Sequence, residues 1–508
     1  MDYETSAVIN IASKAIIMKI AYLDKEDNII ELEKLERPLN LGIESFNTGR
    51  ISYEIVEEIC FILKNFRNKL KEYGVKKVKV IATTALREAK NSKFIIEQIK
   101  SRTKFNIDVL DDNEEKTIIY KQMIRIIEND KNFKNSNIIL SYIGTGSLGI
   151  MYYLNGEIKF NHNIKVGTIK LAQILKELNN ETISFYSVVD QYLRSFGVTL
   201  QNSFKNENVN YFFITGREIR LISKLIDKNY EKISINDFNT FIEDIKNKTI
   251  NQINEKYSII NEKPENILAT LAIYKMLLSI SKVNNMKIFN IGLMDSILYE
   301  ILKRNEYTRY EEDFEEKVIK SAYYFGEKYH FDKIHAKNVE KYALIIFNEI
   351  NNIHKLKQRD RFLLRIASIL HDIGKFINLK NHAYYSYEII KASDLPGLNI
   401  KDIEVVSNIA RLHSKNNIDI NEETLKILTN KERIRIAKLL SILRIADALD
   451  RSHTKKTKEI DLKNTKNKII INVYTTEDMT LEEWTFNKKS EFFQEVFGKK
   501  IILQKIVK

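Results

Sequence analysis

A pair of apolar strands around a tight turn opens this chain and recurs in its second quarter. That recurrence limits the possible folds more than any other feature. Residues 6–11 and 15–22 are β-branched, apolar runs around Ala12-Ser13-Lys14, with a third strand-like run at 29–35. Residues 138–143 and 148–154 repeat the pattern around Gly144-Thr145-Gly146-Ser147, and the hairpin signal Asn155-Gly156 leads into 157–166. After the first unit the spacing predicts helices over 52–73 and 91–100 and strands over 78–82 and 105–110. A helix beginning near Asn113 carries Glu114 and Glu115 in its first turn, where the dipole favours carboxylates. After the second unit, Gly167 opens a helix, and strands follow at 211–215 and 287–291.

Two α/β halves that each begin with such a hairpin predict a duplicated, actin-like (ribonuclease H-like) fold with a cleft between the halves. From about Tyr310 the pattern changes to helices, through Leu449, and a small α/β unit closes the chain. In that unit, 468–474 and 501–506 read as strands, 490–497 as a helix, and Trp484 as a core residue. The expected domains are 1–130 and 131–308, both actin-like α/β, an all-α domain over 309–455, and a C-terminal α/β domain over 456–508. At 508 residues with 44% hydrophobic side chains, the chain can bury several cores.

The formal charge of +13 is spread along the chain, which suits an anionic substrate. No base-stacking motif or recognition helix points to specific nucleic-acid binding. No apolar run has the length of a membrane span, and the start lacks the basic residues of a signal peptide, so a cytoplasmic protein is expected. Cys60 is the single cysteine, which excludes an intramolecular disulfide and a thiolate metal cluster.

Two sets of residues carry chemistry. The first surrounds Ile369-Leu370-His371-Asp372-Ile373-Gly374-Lys375-Phe376, an adjacent His and Asp in an apolar helical run. Buried, such a pair needs a partner or a metal, and imidazole with carboxylate suits divalent cations. His335 lies early in a preceding helix and Asp447 in a later one, both among apolar neighbours. His382 and His413 fall between. Lys375, one turn after His371, is a candidate to hold substrate phosphate, with Arg411 or Lys415 beside it. His162, His330, His354 and His453 read as surface or supporting residues.

The second set lies in the N-terminal halves. The Gly144-Thr145-Gly146-Ser147 turn can offer amides to a phosphate, and a plain hairpin turn is the alternative. The segment Ala82-Thr83-Thr84-Ala85-Leu86-Arg87-Glu88-Ala89-Lys90-Asn91 ends a strand in hydroxyls and an arginine shaped for phosphate. This segment resembles the ATSALREAxN pattern of the Ppx/GppA family, the exopolyphosphatases and guanosine pentaphosphate phosphatases. Glu114-Glu115, Val166-Gly167, Leu298-Tyr299-Glu300 and the ending Phe492-Phe493-Gln494-Glu495-Val496-Phe497-Gly498 are similar too.

The resemblance implies removal of terminal phosphate from polyphosphate or pppGpp with Mg²⁺. It keeps Glu115 as the residue that positions the attacking water. The departures are as specific. The family's DxGSNS loop is Asn10-Ile11-Ala12-Ser13-Lys14-Ala15 here, and its DIGGGSTE loop is Tyr142-Ile143-Gly144-Thr145-Gly146-Ser147-Leu148-Gly149. Two aspartates thus become Asn10 and Tyr142, a catalytic glutamate becomes Gly149, and Leu293-Met294-Asp295-Ser296 lacks the arginine of the family's LREG. The expectation is a cleft with weak or no catalysis that still holds an anion through Arg87, Thr83, Lys14 and Gly144 to Ser147.

His335, His371-Asp372 and Asp447, with Ser441-Ile442-Leu443-Arg444-Ile445-Ala446-Asp447 and Asp450-Arg451-Ser452-His453, resemble the HD-domain superfamily of metal-dependent phosphohydrolases. His382 and His413 extend that likeness to its binuclear members. The resemblance implies Mn, Fe or a similar transition metal at this set, with Mg in the N-terminal cleft if that cleft is active. Two functions follow: a phosphohydrolase cleaving phosphoanhydrides of polyphosphate or a guanosine or other nucleotide polyphosphate, or a largely non-catalytic regulatory protein that binds polyphosphate or alarmone. Family likeness also suggests a homodimer.

Overall fold

The computed structural model describes the chain apart from residues 1–3, 27, 170, 172–184, 205–207, 227–231, 249, 258–262, 284, 423–424, 427 and 508. It divides into two compact units, Met1–Phe314 and Glu315–Lys508.

In the first unit, β1 (Ser6–Ile11), β2 (Ala15–Leu23), β3 (Ile29–Pro38), β4 (Lys77–Ala82) and β5 (Ile107–Val109) form one sheet in the order β3-β2-β1-β4-β5. The first three strands are antiparallel, while β4 and β5 join parallel to β1. The second sheet contains β6 (Asn137–Ile143), β7 (Leu148–Leu154), β8 (Glu157–Ile164), β9 (Tyr211–Thr215), β10 (Lys232–Ser234) and β11 (Asn285–Ile288). Its order, β10-β11-β9-β6-β7-β8, repeats the same meander and parallel additions, with β10 as an extra edge strand. The duplication read from the hairpins is therefore a duplication of sheet topology. β1 is buried along most of its length because it lies between β2 and β4. Its near-continuous apolar run is that of a strand covered on both faces.

Helices cover these sheets with apolar stripes. Tyr53–Glu72 starts at Ser52, whose side chain accepts from the Ile55 amide, and buries Val56, Ile59, Leu63, Phe66 and Leu70 at helical spacing. Asp112–Asn129 begins with a reciprocal capping box between Asp111 and Glu114. That cap fixes the direction in which Glu115 and Lys116 leave the first turn. Most of the helix opened by Gly167 lies outside the described residues. The strand expected over 287–291 is instead Asn285–Ile288, since pairing with β9 ends at Ile288.

The second unit has helices at Lys333–Glu349, Gln358–Leu370, His382–Lys391, Ile400–Leu412 and Asn430–Ala448. After them, β12 (Glu459–Asn464), β13 (Lys468–Tyr474) and β14 (Lys500–Ile506) form a small sheet, with the helix Thr480–Phe497 between β13 and β14. β12 escaped the sequence reading because only Ile460 of its side chains is buried. The terminal helix begins ten residues before the expected start at 490. Its buried face runs through Glu482, Thr485, Phe486, Lys489, Phe492 and Phe493, a stripe containing two charges. Trp484 lies off that stripe, 57% exposed, with Lys488 Nζ 3.8 Å over its ring. It is a surface residue, contrary to the expectation.

His371 and Asp372 sit where the Gln358–Leu370 helix ends, just before a short 3₁₀ turn at Ile373–Phe376. Gly374 lets that turn meet the His382–Lys391 helix. A Cβ there would overlap the His382 carbonyl oxygen and the Ser386 amide nitrogen, and the Gly374 amide donates to Ser386 Oγ at 2.9 Å. Gly374→Ala is therefore expected to destabilise this unit by about 1–3 kcal/mol through overpacking, seen as a lower denaturation midpoint with an unchanged slope. An unshifted midpoint would show that the two helices do not pack this closely.

Candidate metal centre and anion cleft

In the second unit, four helix segments deliver imidazoles to one carboxylate pair. Asp332 caps the Lys333–Glu349 helix by accepting from the Ile334 and His335 amides, which fixes His335 in the first turn. His371 and His413 each follow the last turn of a helix. Each turns Nδ1 back to a carbonyl three residues earlier, Ser368 at 2.9 Å and Ala410 at 2.6 Å. His382 does the same with Leu379 at 2.9 Å, and His335 Nδ1 meets Asp450 Oδ2 at 2.9 Å. An acceptor at Nδ1 selects the tautomer that leaves Nε2 with a lone pair, the arrangement typical of metal-ligating histidines.

The four Nε2 atoms converge. His335 Nε2 lies 3.3 Å from Asp447 Oδ1 and 3.9 Å from Asp372 Oδ2, and His371 Nε2 lies 3.8 and 3.6 Å from the same two oxygens. On the other side of Asp372, Oδ1 is 3.5 Å from His382 Nε2 and 3.3 Å from His413 Nε2. Two groups result, His335–His371–Asp372 and Asp372–His382–His413, sharing Asp372. The Nε2 atoms of His335 and His371 are buried without a hydrogen-bond partner, which native proteins rarely tolerate unless an ion or water completes the site. All six residues expected as metal ligands from the sequence thus lie together.

The electrostatics fit a cation. Burial alone would lower the His335 pKa, but Asp447 and Asp450 raise it to about 9. Burial would raise the Asp372 carboxyl, yet His371, His413 and Lys375 hold it well below the usual range. His413 is pushed down to about 4 by burial, partly offset by Asp372. Lys375 and Lys489 supply part of the positive charge that the carboxylates demand, and His335 supplies more by holding its proton.

Lys375 Nζ pairs with Asp372 Oδ2 and lines a cavity of about 390 Å³ together with His335, His371, Phe331, Phe376 and His453. Arg411 and Lys415 instead pair with Glu422, at 3.3 and 2.7 Å. Three further residues support the centre: His453, read from the sequence as a surface or supporting residue, Asp450, quoted there only within its motif, and Lys489, which sequence reasoning missed. Asp450 holds His335, His453 stacks on the His335 ring at 3.7 Å between centroids, and Lys489 pairs with Asp447 Oδ2. His354 is also buried, with Nε2 on the Phe347 carbonyl at 2.8 Å.

In the first unit, the turns after β1 and β6 line a second cavity of about 390 Å³, with Lys14, Thr83, Glu115, Tyr142, Gly144 and Thr145 among its walls. Ser13 Oγ and Thr145 Oγ1 approach to 3.4 Å, so the two hairpin turns meet. The Gly144 amide closes its own turn on the Ser147 carbonyl at 2.9 Å and offers nothing outward. Gly146 packs against the Thr84 side chain, and a Cβ on Gly167 would overlap the Gly146 backbone. Arg87 is committed elsewhere: it donates to the Leu110 carbonyl at 2.6 Å and pairs with Asp112 at 2.7 Å. Lys14 pairs with Glu218 at 3.3 Å.

The residues at and around the positions that depart from the family pattern contact one another within the cleft. The Tyr142 hydroxyl donates to Glu115 Oε1 at 2.8 Å, and burial pushes the Glu115 carboxyl up. The space beside Gly149 is filled, since a Cβ there would lie 2.7 Å from Lys116 Cδ and overlap the Tyr120 hydroxyl. Lys116 Nζ donates to Ser147 Oγ at 2.7 Å. Met294 stands where the family pattern has an arginine, and the neighbouring Asp295 pairs with Lys19 at 2.6 Å. These acids therefore already hold partners, and no metal-type cluster occurs here among the described residues. The residues do not fit an Mg²⁺ site.

Comparison with known proteins agrees with this architecture. The Ppx/GppA phosphatase family profile matches residues 21–305, and the profile for Ppx/GppA phosphatase domain III matches 319–490. A guanosine-5'-triphosphate,3'-diphosphate pyrophosphatase of Photobacterium profundum is 20% identical over 455 residues, covering 87% of this chain and 85% of that protein. The crystal structure of an Aquifex aeolicus Ppx/GppA family member aligns with 60% of this chain and 99% of its own at a TM-score of 0.51 and 18% identity. An exopolyphosphatase from Cytophaga hutchinsonii aligns with 59% of this chain and 98% of its own at a TM-score of 0.51 and 16% identity. These likenesses show the actin-like duplicated fold.

The Tyr142–Glu115 contact yields a pH test. A carboxyl whose folded pKa is raised favours folding below its unfolded value near 4.3 and loses that contribution as pH rises through the folded value. Tyr142→Phe removes a hydrogen bond that opposes the rise, so the loss deepens. Relative to wild type, the variant should lose about 1–2 kcal/mol more stability at pH 8 than at pH 5, measured by denaturant titration. Equal losses at both pH values would place the Glu115 charge elsewhere.

Proposed function

The chain belongs to the Ppx/GppA phosphatase family, and we propose that it hydrolyses phosphoanhydride bonds of polyphosphate or a nucleotide polyphosphate at the histidine–aspartate centre of its second unit, with the N-terminal cleft kept for anion binding. The observation that carries this reading is the pair of buried, unpartnered Nε2 atoms of His335 and His371 facing Asp372 and Asp447. Those residues fit the ligands of an HD-type binuclear centre: His335, His371, Asp372 and Asp447 for one cation, and Asp372, His382 and His413 for the other. When bound, Mn, Fe or a similar cation supplies charge neutralisation for phosphate oxygens and an acidified water.

The chain's own groups do the rest. Lys375, at the cavity wall, binds a phosphate oxygen by exchanging part of its contact with Asp372. The carbonyls of Ser368, Leu379 and Ala410 hold three imidazoles in one tautomer. Phe331 and Phe376 form an apolar wall that limits water around the reacting phosphate.

A second reading, a regulatory protein that binds polyphosphate or alarmone, draws on the rebuilt cleft. Tyr142 occupies Glu115, and Lys116 fills the space beside Gly149. On that reading Lys14, Thr83, Thr145, Gly146 and Ser147 bind phosphate without metal.

Metal content and phosphate release separate the two. Purified protein is expected to contain a transition metal, and His371→Ala and Asp372→Ala are expected to lower release from polyphosphate or pppGpp by at least 10²-fold, while Glu115→Gln leaves it near wild type. Loss only with Glu115→Gln would return the chemistry to the cleft. No release by any form, with binding of tripolyphosphate in EDTA that Lys14→Ala weakens, would favour the regulatory reading.

A further inference from the structure

The Thr480–Phe497 helix buries two charged side chains against the histidine–aspartate centre. Lys489 Nζ pairs with Asp447 Oδ2, while Asp447 Oδ1 remains 3.3 Å from His335 Nε2 and 3.8 Å from His371 Nε2. Seven residues earlier on the same face, Glu482 is fully buried. Its Oε1 accepts from the Ser452 amide at 3.0 Å, and its Oε2 lies 3.5 Å from Lys456 Nζ. Ser452 sits between Asp450, which meets His335 Nδ1, and His453, which stacks on the His335 ring. One helix face therefore reaches His335 through the 450–453 segment and Asp447 directly.

A buried ammonium is a poor choice for stability alone, since apolar replacements of buried ion pairs are often neutral or stabilising. Arg444 and Arg451 add charge of the same sign nearby. Lys489 does have a geometric consequence. By occupying one oxygen of Asp447, it leaves a single oxygen for the two unpartnered Nε2 atoms.

We propose that Lys489 is a positioning residue of the metal centre: it holds Asp447 as a one-oxygen ligand beside His335 and His371, and Glu482 supports the same position through the 450–453 segment. The proposal rests on the reading of this centre as a metal site. The carboxyl-terminal α/β element thus completes a centre whose ligands all lie before it in the chain. Lys489 controls the cation held with Asp447 and not the one held by His382 and His413.

Equilibrium Mn²⁺ binding to the full-length protein, followed by dialysis and electron paramagnetic resonance, tests this without turnover. Wild type should take up two ions. Lys489→Met should weaken one of them about 10–100-fold and leave the other unchanged, with Lys489→Arg recovering most of the loss and Glu482→Gln giving a smaller loss at the same ion. His382→Ala should affect the other ion, which assigns the two. Should Lys489→Met fail to fold by circular dichroism, Lys489→Gln is read in the same way. A folded Lys489 variant that binds both ions as wild type does, or more tightly, overturns the proposal alone. Wild type that takes up no Mn²⁺, or His371→Ala with unchanged uptake, overturns the metal reading and the proposal with it.

Discussion

The second unit is organised around one half-buried carboxylate. Asp372 has imidazoles on both sides, with His335 and His371 near Oδ2 and His382 and His413 near Oδ1, and Lys375 also contacts it. An isolated carboxylate in such an interior would cost several kcal/mol even after relaxation. Each helix that meets the centre therefore ends or begins where a polar group is needed. Gln358–Leu370 and Ile400–Leu412 stop so that His371 and His413 can turn inward, while Lys333–Glu349 starts at His335's own turn. Gly374 belongs to the same requirement, because only a missing Cβ lets the 3₁₀ turn and the His382 helix touch.

The first unit shows the converse. Its sheets and turns retain the duplicated architecture, and the two turns still approach each other through Ser13 and Thr145. Its charges have been reassigned. Tyr142 replaces a carboxylate with a hydroxyl that donates to Glu115, and the space beside Gly149 is taken by the buried stem of Lys116. Such a cleft is internally satisfied, and the substitutions compensate one another sterically. Packing and site chemistry make separate demands on a fold.

What was legible in the sequence follows the range of each signal. Period-2 apolar alternation and helical stripes located β1, β2, β6, β7, β9 and β13 within a residue or two, because burial itself creates those patterns. β12 was missed because it exposes most of its side chains, and the terminal helix was cut short because its buried face contains Glu482 and Lys489. Trp484 was misplaced by treating a large aromatic as core, when helical phase sets it off the buried stripe. The six candidate ligands, which the fold brings together, were legible as a group because their residue types and order are unusual together. Arg87 shows the limit of that method. A guanidinium suited to phosphate by shape is bound to Leu110 and Asp112, a fact that depends on a strand and a helix start elsewhere in the chain.

Lys489 and Lys116 were illegible for the same reason, and together they explain how the two sites differ. Both are buried ammonium groups in a lysine-rich chain, and nothing local marks them. Lys116 lies where its stem fills space beside Gly149, and its charge meets Ser147 and Asp112. Lys489 meets a carboxylate whose other oxygen faces two unpartnered Nε2 atoms. In the first case the ammonium is bonded to Ser147 and Asp112; in the second it meets one oxygen of a carboxylate whose other oxygen faces two buried Nε2 atoms. The sign of a buried charge is thus insufficient to tell an internally satisfied cluster from one with open acceptor atoms. The deciding feature is whether the neighbouring acceptor atoms are all satisfied by the protein, and they are not at His335 and His371.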